Sequence, residues 1–153
     1  RDCRTLAAGL GLKEQVQFLG FRKIDELLPQ VGLLALSSIS EALPLVILEG
    51  YAAGVPCVAT DVGSCRQLVE GLDEADRALG MSGAVVGIAD PQALAAAIIR
   101  MLENEDDWRR AQAAGIARVE RYYTQDLMFA RYRNIYRATL AESAPLPAPP
   151  EKP

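Results

Sequence analysis

The chain has 153 residues, half of them hydrophobic, and a net charge of −4, enough for one compact core that buries about two-thirds of the unfolded surface. It contains no histidine, which excludes Ser-His-Asp hydrolysis and His-ligated zinc. The basic residues are scattered along the later helices, which argues against nucleic acid as a partner.

In chain order, Leu6, Leu10 and Leu12 predict a short helix ending near Gly9 or Gly11, and Val16 to Leu19 predicts a strand that stops at Gly20. A brief helix around Asp25 to Leu28 ends at Pro29. Val31 to Leu36 is almost continuously apolar, as in a parallel strand covered on both faces. Ser37 to Leu43 reads as a loop, Pro44 as the first helical residue, and the helix runs to about Ala53 with Gly54 as its stop. Cys57 to Thr60 is a second buried strand, Arg66 to Val69 a short helix, and Gly71 to Met81 a solvated acidic loop. The last strand lies near Ala84 to Val86. Three helices follow. Asp90-Pro91 caps the first, with Leu94, Ala97, Ile98, Met101 and Leu102 at helical spacing. Trp108, Ala111, Gly115, Ile116 and Val119 mark the second. Thr124 caps the third, whose inner side is Leu127, Met128, Tyr132, Ile135 and Tyr136. The stretch 143–153 carries five prolines and reads as a disordered tail.

This alternation predicts an α/β fold, a Rossmann-like parallel sheet flanked by helices over residues 1–142. No G-x-G-x-x-G follows a strand, which disfavours a generic dinucleotide-binding domain. Cys3, Cys57 and Cys65 are odd in number and lack CxxC spacing, which fits free or packed thiols in a reducing, cytoplasmic compartment. No apolar run is long enough to cross a bilayer. The chain opens on Arg1 and reads as a segment of something longer.

In a parallel sheet, ligands bind where the strands end. Two loops leave that edge, Ser37 to Pro44 and Thr60 to Cys65, and both feed helix N-termini, where free amides favour an anion such as diphosphate. The first loop holds Glu41, and Glu49 follows in the helix with seven residues between them. On one continuous helix the pair would stand about 12 Å apart, beyond the roughly 5–9.5 Å used by paired glycosidase carboxylates. With Glu41 in the loop, the two acids instead bracket the backbone of Ala42, Leu43, Pro44, Leu45 and Val46. They could then hold different hydroxyls of one extended ligand that carries a diphosphate. Beside this stands a plainer set of readings. A glutamate early in a helix often only complements the dipole. Thr60 to Ser64 can be a simple turn, and Arg66 a surface charge rather than a phosphate ligand. Cys57, Cys65, Trp108 and the tyrosines at 122, 123, 132 and 136 read as packing residues.

Ser40 to Gly50 resembles the EX7E motif of the GT4 family of retaining glycosyltransferases, which have the two-domain GT-B fold. The likeness extends over Gln17 to Phe21, Ala53 to Gly63, Asp90-Pro91 and the tyrosine-rich last helix. More narrowly, Gly63 to Gly71 and Asp76 to Gly80 are similar to the glycosyltransferases of Pel exopolysaccharide synthesis. The resemblance implies the C-terminal, donor-binding half of such an enzyme. Glu41 would be catalytic, touching the donor sugar near the reacting centre, and Ala42 through Val46 would meet sugar and diphosphate. Glu49 would hold the ribose, and Phe21 and Arg22 would lie beside the base. The donor implied is a nucleotide sugar, first of all UDP-glucose, with no metal and no other cofactor. The partners implied are an N-terminal acceptor domain upstream in the same chain and a membrane polysaccharide synthase complex. The basic residues that hold the diphosphate in this family would also lie upstream, so the chain by itself is expected not to catalyse transfer. A non-catalytic nucleotide-sugar-binding module in an assembly complex is the rival reading. Two departures stand out: Ser64 and Gln67 occupy positions where the family often has glycine and glutamate, and Gly50 replaces a frequent alanine.

Overall fold

The computed structural model describes residues 3–142, so the expected proline-rich tail lies outside the described residues. These fall into two compact units, Arg1–Val31 and Gly32–Pro153.

The first unit holds α1 (Cys3–Gly9), α2 (Ile24–Leu27) and a single 3-10 turn at Leu28–Gln30, with Pro29 in that turn. The Arg4 guanidinium lies 4.6 Å from the centroid of the Phe18 ring. Val16 to Leu19, expected as a strand, is not one. Alternating apolar residues make a strand only when a neighbouring backbone completes the ladder, and no strand pairs with this segment among the described residues.

The second unit is built on three parallel strands in the order β1 (Leu34–Leu36), β2 (Cys57–Thr60) and β3 (Gly83–Val86). Leu34 pairs with Cys57 and Cys57 with Gly83. β1 is shorter than the apolar run Val31 to Leu36 because its register with β2 starts only at Leu34. The central strand β2 is buried at all four residues, and its side chains alternate between two cores. Cys57 and Ala59 join Ile47 and Tyr51 of α3 (Leu45–Ala52) and Cys65 and Leu68 of α4 (Cys65–Glu70). Val119 and Tyr123, from α7 (Glu105–Tyr122) and the residue after it, pack on the same cluster. On the other face Val58 meets Ala84 and Ala97, with Leu94 and Ile98 of α6 (Pro91–Glu103) packed beside them. Two crossovers stepping in one direction across the sheet put both α3 and α4 on one face, as right-handed connections require.

Burial moves the Cys57 thiol well away from its usual range, up to about 12, with the neighbouring Cys65 adding to the effect. Both sulfurs are core atoms and neither forms a disulfide.

The caps of the later helices follow their sequence. Asp90 accepts from the Ala93 amide at 2.8 Å, and Asn104 accepts from the Asp107 amide at 3.0 Å. Thr124 Oγ1 accepts from the Leu127 amide at 3.4 Å, at the start of α8 (Gln125–Glu142). Three expectations are corrected here. Leu102 is exposed although it follows the α6 spacing. Met128, Tyr132, Ile135 and Tyr136 of α8 are exposed as well. Helical spacing makes a face but does not supply a partner for it, and nothing among the described residues buries this one.

The third correction is larger. The acidic stretch after Gly71 is not simply a solvated loop: it contains α5 (Glu74–Arg77), capped by Asp73, whose carboxylate accepts from the Asp76 amide at 2.9 Å. That turn sends Asp76 inward, where it is 1% exposed and meets the fully buried Arg118 at 2.6 Å.

Candidate functional site

Parallel pairing sends β1 and β2 out of the sheet at one edge, so the segments after Leu36 and after Thr60 are neighbours. The first carries Ser38 and Glu41, and the second is the turn Asp61 to Ser64 that opens α4. Their backbones are in direct contact. The Ser64 amide donates to the Ala42 carbonyl at 2.9 Å. Gly63 adopts φ 51°, and a Cβ there would stand 2.2 Å from the Glu41 carbonyl oxygen and 2.6 Å from that of Ala42. Only glycine fits. Ser64, by contrast, has φ −91°, which any residue adopts. This explains why a serine is accommodated where the resembled family often has a second glycine.

Glu41 is half-buried. Its Oε1 accepts from Ser38 Oγ at 2.7 Å, and among the described residues no other hydrogen bond or ion pair reaches its carboxylate, which leaves acceptor capacity for a ligand. Thr60 Oγ1, at the end of β2, donates to the Ser38 carbonyl at 2.5 Å and lies 3.4 Å from that of Leu36. Cys65 sits directly behind. Burial pushes its thiol up, the hydrogen bond with Val62 pulls it down, and the negative charges of Glu41 and Asp61 add to the rise.

α3 begins one residue later than its sequence implies. Pro44 is the N-cap, with φ −73° and ψ 100°, rather than the first helical residue. A proline ring restricts φ to a value that suits helix and extended chain alike, so ψ decides the boundary. Pro44 is buried and carries no N–H, so the expected patch of five amides holds four donors. Among the described residues, the amides of Ala42, Leu43, Leu45 and Val46 make no turn or cap hydrogen bond, and no side chain caps this end of α3. Four unsatisfied N–H groups at the dipole's positive end favour an anion. Ile39, Leu43 and Leu45 are exposed around them.

Glu49 lies in the second turn of α3 and is exposed. It shares the outer face with Leu45 and Ala52, opposite the buried Ile47, Gly50 and Tyr51. No hydrogen bond or ion pair joins Glu49 to Glu41 among the described residues. Phe21 and Arg22 belong to the first unit, where both are exposed, Phe21 at 97%. Arg66 is committed to its neighbours. It contacts Asp61 at 2.7 Å and Glu70 at 2.6 Å, and these hydrogen-bonded carboxylates raise its pKa. Ser38, Thr60 and Gly63 lie in the two loops that the sequence marks at this edge, but their individual contacts with Glu41 and its neighbours are not read from it. A serine three residues before a glutamate in a loop is a pattern for a local side-chain hydrogen bond, but the close approach at Gly63 has no sequence signal of its own.

No described helix is long and apolar enough to cross a membrane.

The profile of the family described as "Glycosyl transferases group 1" matches residues 2–118. Among curated relatives, D-inositol 3-phosphate glycosyltransferase of Corynebacterium urealyticum is 33% identical over 92% of this chain and 32% of its own length. The amylovoran biosynthesis glycosyltransferase AmsK of Erwinia amylovora is 26% identical over 86% of this chain and 33% of its own. Among solved structures, sucrose-phosphate synthase from Thermosynechococcus elongatus has a TM-score of 0.79 at 26% identity, covering 92% of this chain and 34% of that one. Anabaena HepE in complex with UDP-glucose has a TM-score of 0.68 at 26% identity, covering 90% and 36%. The chain thus spans about a third of the length of the curated relatives it matches. Its parallel sheet flanked by helices is the α/β fold of its GT-B glycosyltransferase neighbours. By its sequence over residues 2–118, the chain belongs to the group 1 glycosyl transferases.

Proposed function

We propose that this chain is the donor-binding half of a longer, retaining hexosyltransferase of the GT4 type, and that its donor is a nucleoside diphosphate sugar. The observation that carries the reading is the patch of unsatisfied amides at Ala42, Leu43, Leu45 and Val46, next to a carboxylate with spare acceptor capacity. A diphosphate satisfies the amides, and the sugar's hydroxyls satisfy the acid. UDP-glucose is the first choice of donor: a related structure, Anabaena HepE, holds that molecule. Exopolysaccharide is the proposed product, on the likeness of Gly63 to Gly71 to the glycosyltransferases of Pel exopolysaccharide synthesis and on the similarity to an amylovoran biosynthesis enzyme. In this reading Glu41 works beside the reacting carbon and Glu49 holds the ribose. Phe21 and Arg22 attend the base, and no metal takes part. Upstream chain supplies the acceptor domain and the basic groups for the diphosphate. The free thiols at Cys57 and Cys65 are consistent with a cytoplasmic enzyme.

Calorimetry with UDP-glucose and rate measurements on the full-length protein test this. Glu49→Ala removes hydrogen bonds to a charged group worth roughly 1.5–3 kcal/mol, so donor affinity should fall about 10- to 100-fold. Glu41→Gln should depress turnover far more than affinity. Unchanged affinity in the first variant removes Glu49 from the ribose role. Unchanged turnover in the second removes Glu41 from the reacting centre. Donor binding without any transfer by the full-length protein would favour an assembly module instead.

A further inference from the structure

We infer that the turn after β2, together with Ser38, is the device that positions Glu41, and that Ser38 and Gly63 are positioning residues for the transfer reaction. The inference rests on the proposed role of Glu41 and goes beyond it by naming what holds that acid in place. Four contacts carry it. Ser38 Oγ donates directly to the Glu41 carboxylate at 2.7 Å. Thr60 Oγ1 donates to the Ser38 carbonyl at 2.5 Å, which ties the residue that holds the carboxylate to the end of β2. The Ser64 amide donates to the Ala42 carbonyl at 2.9 Å, on the other side of Glu41. Between these two anchors Gly63 lies against the Glu41 carbonyl so closely that a Cβ would stand 2.2 Å from it.

The anchors all belong to the fully buried strand β2 or to the turn that continues it. β2 is the central strand, covered on both faces, and close-packed interiors transmit position with little give. The place of the Glu41 carboxylate is therefore set by β2 and its turn, although in sequence Glu41 precedes α3. The loop is pinned at Ser38 and at Ala42, and the side chain between is oriented by one hydroxyl.

Misplacement of a reacting group by about 1 Å costs on the order of 100-fold in rate, which sets the scale of the test. In the full-length protein with UDP-glucose as donor, Ser38→Ala should lower kcat about 10- to 100-fold, with the donor KM held within about threefold. Ser38→Thr, which restores a hydroxyl at the same distance from the chain, should recover most of the lost turnover. A merely structural serine would not give this split between kcat and KM, nor the rescue. Gly63→Ala should lower kcat as well. Because that variant forces a backbone shift and could fail to fold, the Ser38 pair carries the decision. Full turnover in Ser38→Ala alongside a slow Glu41→Gln overturns the positioning role and leaves the proposed function standing. Full turnover in Glu41→Gln itself overturns both.

Discussion

The two ends of this sheet use carboxylates in opposite ways. At the amino end Asp76 is 1% exposed and completely engaged: Oδ1 takes the Arg118 Nε–H at 2.6 Å and Oδ2 takes the Leu72 amide at 2.9 Å. Arg118, also buried, donates its remaining N–H groups to Ser82 Oγ at 2.8 Å and to the carbonyls of Gly80 at 2.8 Å, Val69 at 3.0 Å and Asp76 at 3.1 Å. Asp76, Arg118 and Ser82 thus all find their hydrogen-bond partners inside the protein, as a buried ion pair requires. At the carboxyl end, among the described residues, Glu41 has one hydrogen bond, and beside it four amides have none. The contrast separates an acid whose oxygens the protein engages from one that keeps spare acceptor capacity. Both side chains are carboxylates. What differs is how many of the lone pairs the protein itself consumes.

The largest effect should come from breaking the closed end. Asp76→Asn keeps the size of the side chain but leaves Arg118 as a buried, uncompensated charge, at a cost of about 3–5 kcal/mol. Urea denaturation should show a lowered midpoint, because the loss is a large fraction of the stability of a small domain. A loss under 1 kcal/mol would mean that solvent reaches Arg118 and that the two ends are less different than their burial implies.

Next in size is a pair of glycines where the helices serving the two ends meet. Gly115 lies on α7 three residues before Arg118, and a Cβ added there would stand 2.9 Å from Cδ1 of Tyr51, itself two residues after Glu49 on α3. Tyr51 is buried and its ring has no room to retreat. Gly115→Ala should therefore cost about 1–3 kcal/mol through overpacking, in spite of alanine's better helix propensity. Gly50 presents the opposite case. A Cβ there meets Leu34 Cδ2 and the Val55 carbonyl at 3.5 Å, which is ordinary contact. Gly50→Ala should stabilise by about 1 kcal/mol and raise Tm by about 3–4 °C. Thermal melts of the two variants should thus move in opposite directions. A rise in both would show that propensity, not the α3–α7 contact, decides these positions.

The open end was far more legible in the sequence than the closed one. Glu41, Glu49, the strand before them and the Gly54 stop lie within one short segment, so loop, helix start and spacing could be read together. Cys57 to Thr60 was legible as a buried strand because all four residues are small or apolar and follow a proline. Arg118 and Asp76 are separated by 42 positions, and each taken alone looks like a surface residue. Their pairing is a tertiary fact with no local trace. The same limit explains α8, whose apolar spacing announces a face while its exposure depends on what lies opposite. At Gly63 the sequence shows a glycine in a turn but not the carbonyl 2.2 Å from its missing Cβ.

The smallest effect makes the sharpest comparison. Glu41→Gln, proposed above to slow turnover, should leave stability almost untouched. Glutamine has the volume of glutamate, and its amide oxygen can still accept from Ser38 Oγ, the one hydrogen bond that the carboxylate makes among the described residues. Among the described residues no cation is paired with Glu41, so no buried charge there is orphaned by neutralising it. The change in unfolding free energy should fall within about 0.5 kcal/mol, and Tm should stay within about 2 °C. Asp76→Asn is the same chemical substitution, acid to amide, at the other end of the same sheet, and it should cost several times more. If instead Glu41→Gln destabilised the protein by more than about 1 kcal/mol, well outside the range for an uncommitted site, Glu41 would be a structural acid like Asp76, and the spare capacity assigned to a ligand would already be in use.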